Sequence, residues 1–247
     1  MTSGVRIPVL LLAATVSLAG RSAPVSPSAA AEEEAVIVDF STRSGSYRVT
    51  GDATLLSRRF TPGTTLEMII AAAALETGDL IVNAKVPGRE NPLILEGPPG
   101  GPGEEFFAQV LKRTGYDPVR ELLLATRYTP GIPEAVASFA DLARGEPLRV
   151  TVFEQNLFLQ AFVRRQVPVR AEHCASLERH LAVEAPRPSW GQSGWGEISP
   201  EGPRYVSWFN GAARLKDGTH VITVAVLTGK PSSAALERFR RYLGARR

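Results

Sequence analysis

The chain has 247 residues, with 28 Lys and Arg against 25 Asp and Glu, three His and one Cys. Its 44% hydrophobic and 21% charged residues are those of a globular protein and exclude a disordered or collagen-like chain. A single Cys excludes an internal disulfide framework and a Cys-rich zinc cluster. The histidines, His173, His180 and His220, leave little for a metal site, so no metal or cofactor is expected.

The N-terminus reads as an export signal. Arg6 precedes the apolar stretch IPVLLLAATVSLAG, which is too short to span a membrane as an ordinary helix. Ala29 and Ala31 give the small-x-small pattern of a cleavage site, placing a signal peptide at 1–31 and the mature domain at 32–247. An uncleaved tether is the alternative. LAG is followed by Arg21 where a lipoprotein would carry Cys, so no lipid anchor is expected. Residues 1–31 hold two arginines and no acid, so their removal leaves 26 bases against 25 acids, a net charge of +1. Nucleic acid is therefore not an expected partner.

AVIVDF and SYRVT read as two strands joined by a hairpin turn. A helix is expected from Thr64 through TLEMIIAAAALET, stopping at Gly78. From Pro87 to Gly103, ten of 17 residues are Gly or Pro, so no regular element is expected there. EEFFAQVLKRTG, DPVRELLLA and IPEAVASFADLAR read as helices. TVFEQNLFLQAFVRR reads as another, opened by a capping box from Thr151 to Glu154. In the next, PVRAEHCASLERHLAV, Cys174 shares a face with Leu177 and Leu181 and reads as core. GPRYVSWFNGAARL and THVITVAVLTG then read as strands, with Asp217-Gly218 as their turn. SSAALERFRRYLGAR closes the chain as an amphipathic helix with Leu236, Phe239, Tyr242 and Leu243 inward and its arginines, Arg246 among them, solvated.

The order is strands, helices, strands, helix. The expected fold is α+β: an antiparallel sheet of N- and C-terminal strands flanked by helices, with an inserted all-helical lobe over about 87–185. A GxGxxG, a P-loop and an HExxH are absent. A Ser-His-Asp triad using His220 stays open, with no G-x-S-x-G to support it.

Four stretches carry a family resemblance: the opening hairpin running into RFTPGTTLEM, VFEQNLFL, SWGQSGWG, and YVSWF. In this order the chain resembles the penicillin-recognising serine enzymes, above all class D β-lactamases and the sensor domains of β-lactam receptors. The resemblance implies three motifs around one cleft. S-x-x-K at a helix start supplies a nucleophile and, one turn on, a base. S-x-V or S-x-N in the helical lobe relays protons. K-T-G on the facing strand holds the substrate carboxylate.

This sequence departs at all three. Thr64 stands for the Ser and Glu67 for the Lys. The second motif falls on Pro102-Gly103-Glu104, which has no hydroxyl. The third reads Gln192-Ser193-Gly194, followed by Trp195, and has lost its cation. Loss of a general base costs about 10²–10⁴-fold in rate. Thr64-x-x-Glu67 also fits a capping box, and that structural reading is favoured over a surviving nucleophile. The sequence thus points to an exported penicillin-binding, class D β-lactamase-like protein with impaired catalysis. Its expected partner is a β-lactam or peptidoglycan peptide, or it serves as an interaction module. The candidate ligand-binding residues are Gln192, Ser193, Gly194 and Trp195. The alternative is an active β-lactamase or transpeptidase-like acyl enzyme with Thr64 as nucleophile.

Overall fold

The computed structural model describes residues 34–82, 92–95, 103–198 and 205–246. The expected signal peptide lies outside them, as do Pro102 and Arg247. Among the described residues no helix is long and apolar enough to cross a membrane.

Strands β1 (Ala35–Ser41) and β2 (Tyr47–Gly51) form the opening hairpin. A 3-10 turn, Gly63–Leu66, leads into α1 (Glu67–Thr77), which ends at Gly78 with φ 79°. The two-residue strands β3 (Leu80–Ile81) and β4 (Leu93–Ile94) pair in parallel. Strand β4 corrects the expectation of no regular element between Pro87 and Gly103. Its apolar Leu-Ile-Leu run takes the free edge beside β3, with the Leu93 and Leu95 N–H groups donating to Asp79 and Ile81 carbonyls.

Helices α2 (Glu104–Thr114), α3 (Asp117–Ala125), α4 (Phe139–Ala143), α5 (Val152–Val163) and α6 (Ala171–His180) follow. Of the helix expected over 132–144 only α4 forms. Pro133 has no N–H to give, and Ser138, in extended conformation, starts the helix late by accepting from the Asp141 N–H. The capping box at Thr151 and Glu154 is present in both directions.

Strands β5 (Ala182–Val183), β6 (Ser189–Glu197), β7 (Tyr205–Leu215) and β8 (Gly218–Thr228) complete a six-stranded antiparallel sheet in the order β2-β1-β8-β7-β6-β5. The β7–β8 turn is Lys216-Asp217 rather than Asp217-Gly218, because Leu215 pairs with Gly218. Gly218 takes the positive φ, 129°, that closes it. The N-terminal strand β1 lies against the C-terminal β8, as the element order required.

Both faces of the sheet are covered, which is why β1, β7 and β8 are almost continuously apolar. Val36, Val38, Val206 and Trp208 face a core shared with helices α1, α2, α3, α5 and α6. Ile37, Phe209, Ile222 and Val224 face α7 (Ala234–Ala245) through Ala235, Phe239 and Leu243. Cys174 is buried in the first core, and burial pushes its thiol up to about 11, as suits an inert packing residue.

Two buried amides on α5 join core to sheet. The Asn156 side chain donates to the Val38 and Val221 carbonyls, at 3.2 Å each, spanning the β1–β8 junction. Gln155 accepts from the Tyr128 hydroxyl at 2.8 Å and donates to Thr65 Oγ1 at 3.1 Å. Gln155→Ala is expected to destabilise by about 2–3 kcal/mol in urea unfolding, because it strips a buried hydroxyl of its acceptor. Thr151→Ala, the loss of a part-buried helix cap, should cost about 1 kcal/mol.

Candidate functional site

The middle of β6 faces the 3-10 turn and the first residue of α1. Backbone approach there is close. A Cβ on Gly194 would lie 2.7 Å from Thr64 Oγ1 and 2.8 Å from Thr65 N. Gly63, at φ 59°, has the Trp195 carbonyl where its own Cβ would go. Small residues at 63 and 194 therefore let the strand lie directly against the turn.

Between them opens a cleft of about 450 Å³ lined by Thr64, Glu67, Gln192, Ser193, Gly194 and Trp195. All six residues singled out from the sequence thus meet in one place. Gly103 and Glu104, from the start of α2, and Pro231, Ser232 and Ser233, from the connection into α7, close it. Glu104 was noted in the sequence only as lacking a hydroxyl, and Ser232 and Ser233 carried no signal beyond their place before a helix. A second hollow of about 550 Å³ continues past Thr64, Glu104 and Trp195 toward Arg144 and Arg149.

The expected capping box at Thr64 and Glu67 does not form. An N-cap needs extended backbone, but Pro62 (ψ −18°) and Leu66 (ψ −22°) are already helical, and Thr64 sits inside the 3-10 turn. The Glu67 N–H donates to the Thr64 carbonyl, not to its hydroxyl. It is Thr65 that bonds back, to the Pro62 carbonyl at 2.6 Å. Both Thr64 and Glu67 side chains are left to the cleft, and the Thr64 hydroxyl has no partner among the described residues.

Glu67 is 8% exposed, and Gln192 Nε2 donates to its Oε2 at 3.2 Å. Burial, with the nearby Glu104 carboxylate, raises its carboxyl to about 8. At neutral pH it is mainly a neutral acid. Among the described residues lining the cleft the only ionisable groups are Glu67 and Glu104, and none is a cation. The cleft can therefore donate and accept hydrogen bonds and stack a ring on Trp195, but among the described residues its own lining offers no cation for a carboxylate; Arg144 and Arg149 lie in the adjoining hollow.

Trp208, in the YVSWF strand, is core: it is fully buried and its indole donates to the Thr61 carbonyl. His220 is no part of a serine triad. Its Nδ1 lies 2.7 Å from Asp39 Oδ1 and its Nε2 3.0 Å from Asp217 Oδ1.

Two solved structures share this fold. A class D β-lactamase from Nostoc aligns at TM-score 0.68 and 17% identity, covering 86% of this chain and 93% of its own. The C-terminal domain of the Bacillus licheniformis penicillin receptor BlaR aligns at TM-score 0.69 and 20% identity, covering 86% and 91%. The chain has a serine β-lactamase/transpeptidase-like fold. A class D β-lactamase from Fusobacterium nucleatum is also similar, at TM-score 0.67 and 14% identity over 86% and 92%. Neither a family model nor a curated protein matches the sequence itself. At such identities the likeness extends to the fold, and the chemistry rests on the residues in the cleft.

Two variants test that geometry. Gly194→Ala should destabilise by about 1–3 kcal/mol, because the turn cannot retreat without disturbing α1. Glu67→Gln should do the opposite once the pH exceeds about 4.5. A carboxyl raised in the folded state favours folding below its unfolded value, near 4.5, and loses that contribution as pH rises through about 8. Unfolding midpoints of the two proteins should therefore agree near pH 4 and diverge toward pH 8, with Gln the more stable by on the order of a few kcal/mol.

Proposed function

We propose that this chain is an exported, β-lactamase-like binding module that does not acylate, recognising a β-lactam or cell-wall peptide non-covalently or docking a partner through the cleft. Export rests on the sequence of 1–31, with 32–247 as the mature domain and about 87–185 as its helical lobe. The observation that carries the loss of chemistry is Glu67: buried and bonded to Gln192, with burial raising its carboxyl to about 8, where the resembled motif needs a basic Lys. A neutral carboxyl cannot take the proton of the Thr64 hydroxyl, and Thr64 itself carries a crowding methyl. Gln192 keeps donors but not the charge that would attract a substrate carboxylate. A β-lactam or peptide carboxylate would therefore be held there by hydrogen bonds alone, and weakly.

A second reading has one observation in its favour. Thr64 Oγ1 is uncommitted and lines the cleft, so an acyl enzyme with Thr64 as nucleophile has its hydroxyl in place. Its base would be Glu67 in ionised form, and its rate would climb as pH rises through about 8.

Intact mass after incubation with benzylpenicillin separates the two. The expected result is an unchanged mass and no drug consumed at pH 7 or pH 9. A gain equal to the drug, growing toward pH 9 and absent in Thr64→Ala, would establish the acyl enzyme instead.

A further inference from the structure

At the far end of the sheet from the cleft, on the face that α7 covers, lies a separate hollow of about 430 Å³. It is lined by Arg48, Arg187, Lys216, Asp217 and Arg246, with Leu215 and Ala245. These come from four places: β2, the loop before β6, the β7–β8 turn and the end of α7. Convergence of four cations on one concavity is not a consequence of one basic stretch of sequence.

Arg246 is held in place rather than solvated, which corrects the expectation for it. Its guanidinium lies over the Tyr242 ring, 5.8 Å from the centroid, and 3.5 Å from Asp39 Oδ2, with the side chain 17% exposed. Asp39 is buried and also accepts from the Tyr242 hydroxyl at 2.7 Å and faces His220. Asp217, the one acid on the lining, has Oδ1 against His220 Nε2. Arg48 stands opposite Asp39 in the β1–β2 register. Arg48, Arg187 and Lys216 have no ion-pair partner among the described residues. Against the carboxylates of Asp39 and Asp217, the four cations leave a surplus of two positive charges around the hollow.

Like charges gathered without counter-charges repel, and an anion between them relieves that repulsion. Arginines placed at several angles suit the tetrahedral oxygens of a phosphate group, which they bind in bidentate fashion. We propose that this hollow is a binding site for a phosphate ester, with Arg246 as its fixed anchor and Arg48, Arg187 and Lys216 as the groups that close on it. The group can come from a soluble phosphorylated ligand or from the headgroup of an anionic lipid. The site is independent of the cleft and of what the cleft binds.

Inorganic phosphate is the probe, titrated calorimetrically into the mature protein, with vesicles of phosphatidylglycerol and phosphatidylcholine in a parallel sedimentation assay. Saturable phosphate binding is expected, weakened at least fivefold by Arg48→Ala and by Lys216→Ala. Lys112→Ala, which removes the same charge from an exposed position on α2, should change it less than twofold. Arg48 and Lys216 are exposed, so these variants should keep the parent's unfolding midpoint in phosphate-free buffer. Phosphate binding without vesicle binding assigns a soluble ligand. Vesicle binding that phosphate competes away assigns the lipid headgroup. Absence of both, or equal weakening by Lys112→Ala, overturns the proposal.

Discussion

The cleft exists because α5 is fastened at two points by two adjacent amides. Asn156 holds the β1–β8 junction through two backbone carbonyls, and Gln155 holds the 3-10 turn through Thr65. Both side chains are buried, so neither bond competes with water, and each missing partner would leave a polar group stranded. Neighbouring residues on a helix point about 100° apart. One amide therefore reaches the sheet while the other reaches the turn before α1. That pair, with the Trp208 indole bonded to the Thr61 carbonyl, holds sheet and turn in relative position, and with it the gap between β6 and Thr64.

Into this gap the sequence puts Glu67, where the resembled motif has a Lys. With Gln192 beside it, Glu67 has a neutral donor and no cation, so burial sets its protonation, and burial favours the uncharged form. Had a Lys stood at 192, its ammonium would have held the carboxylate ionised. The two departures from the resembled motifs thus act together: each makes the other tolerable in a buried place. A Glu67–Gln192 pair is a neutral hydrogen bond across the cleft floor, and it avoids the desolvation cost of an ion pair.

The fold was legible in the sequence wherever a pattern had one structural meaning. Continuous apolar strands at both termini required one sheet, and Gly78 and Thr151 marked helix ends through backbone chemistry that few other residues supply. The Thr-x-x-Glu pattern shows the limit. At Thr151 it is a capping box, because the backbone before α5 is extended (ψ 165°). At Thr64 the same pattern is not, because Pro62 and Gly63 have already begun a 3-10 turn. The composition of four residues cannot separate these cases; the backbone entering them does. The cleft residues on β6 and α1 could be found because they are consecutive or one turn apart. Ser232, Ser233 and Glu104 join them only through tertiary packing, and no local spacing announces that.

Helix α7 gives the last step. Its start supplies Ser232 and Ser233 to the cleft through the preceding connection, and its end supplies Arg246 to the basic hollow. Ser207 fixes the first by donating to the Ser232 carbonyl and accepting the Ala235 N–H. Asp39 fixes the second through Tyr242 and Arg246. Between them Phe209 and Phe239 pack 4.1 Å apart at the ring centroids. A helix tied at both ends and wedged in its middle has little freedom to slide on the sheet. The two hollows are therefore held at a fixed separation by one rigid element, about 18 Å along twelve helical residues. Occupants of both would be presented on one body, each unable to displace the other.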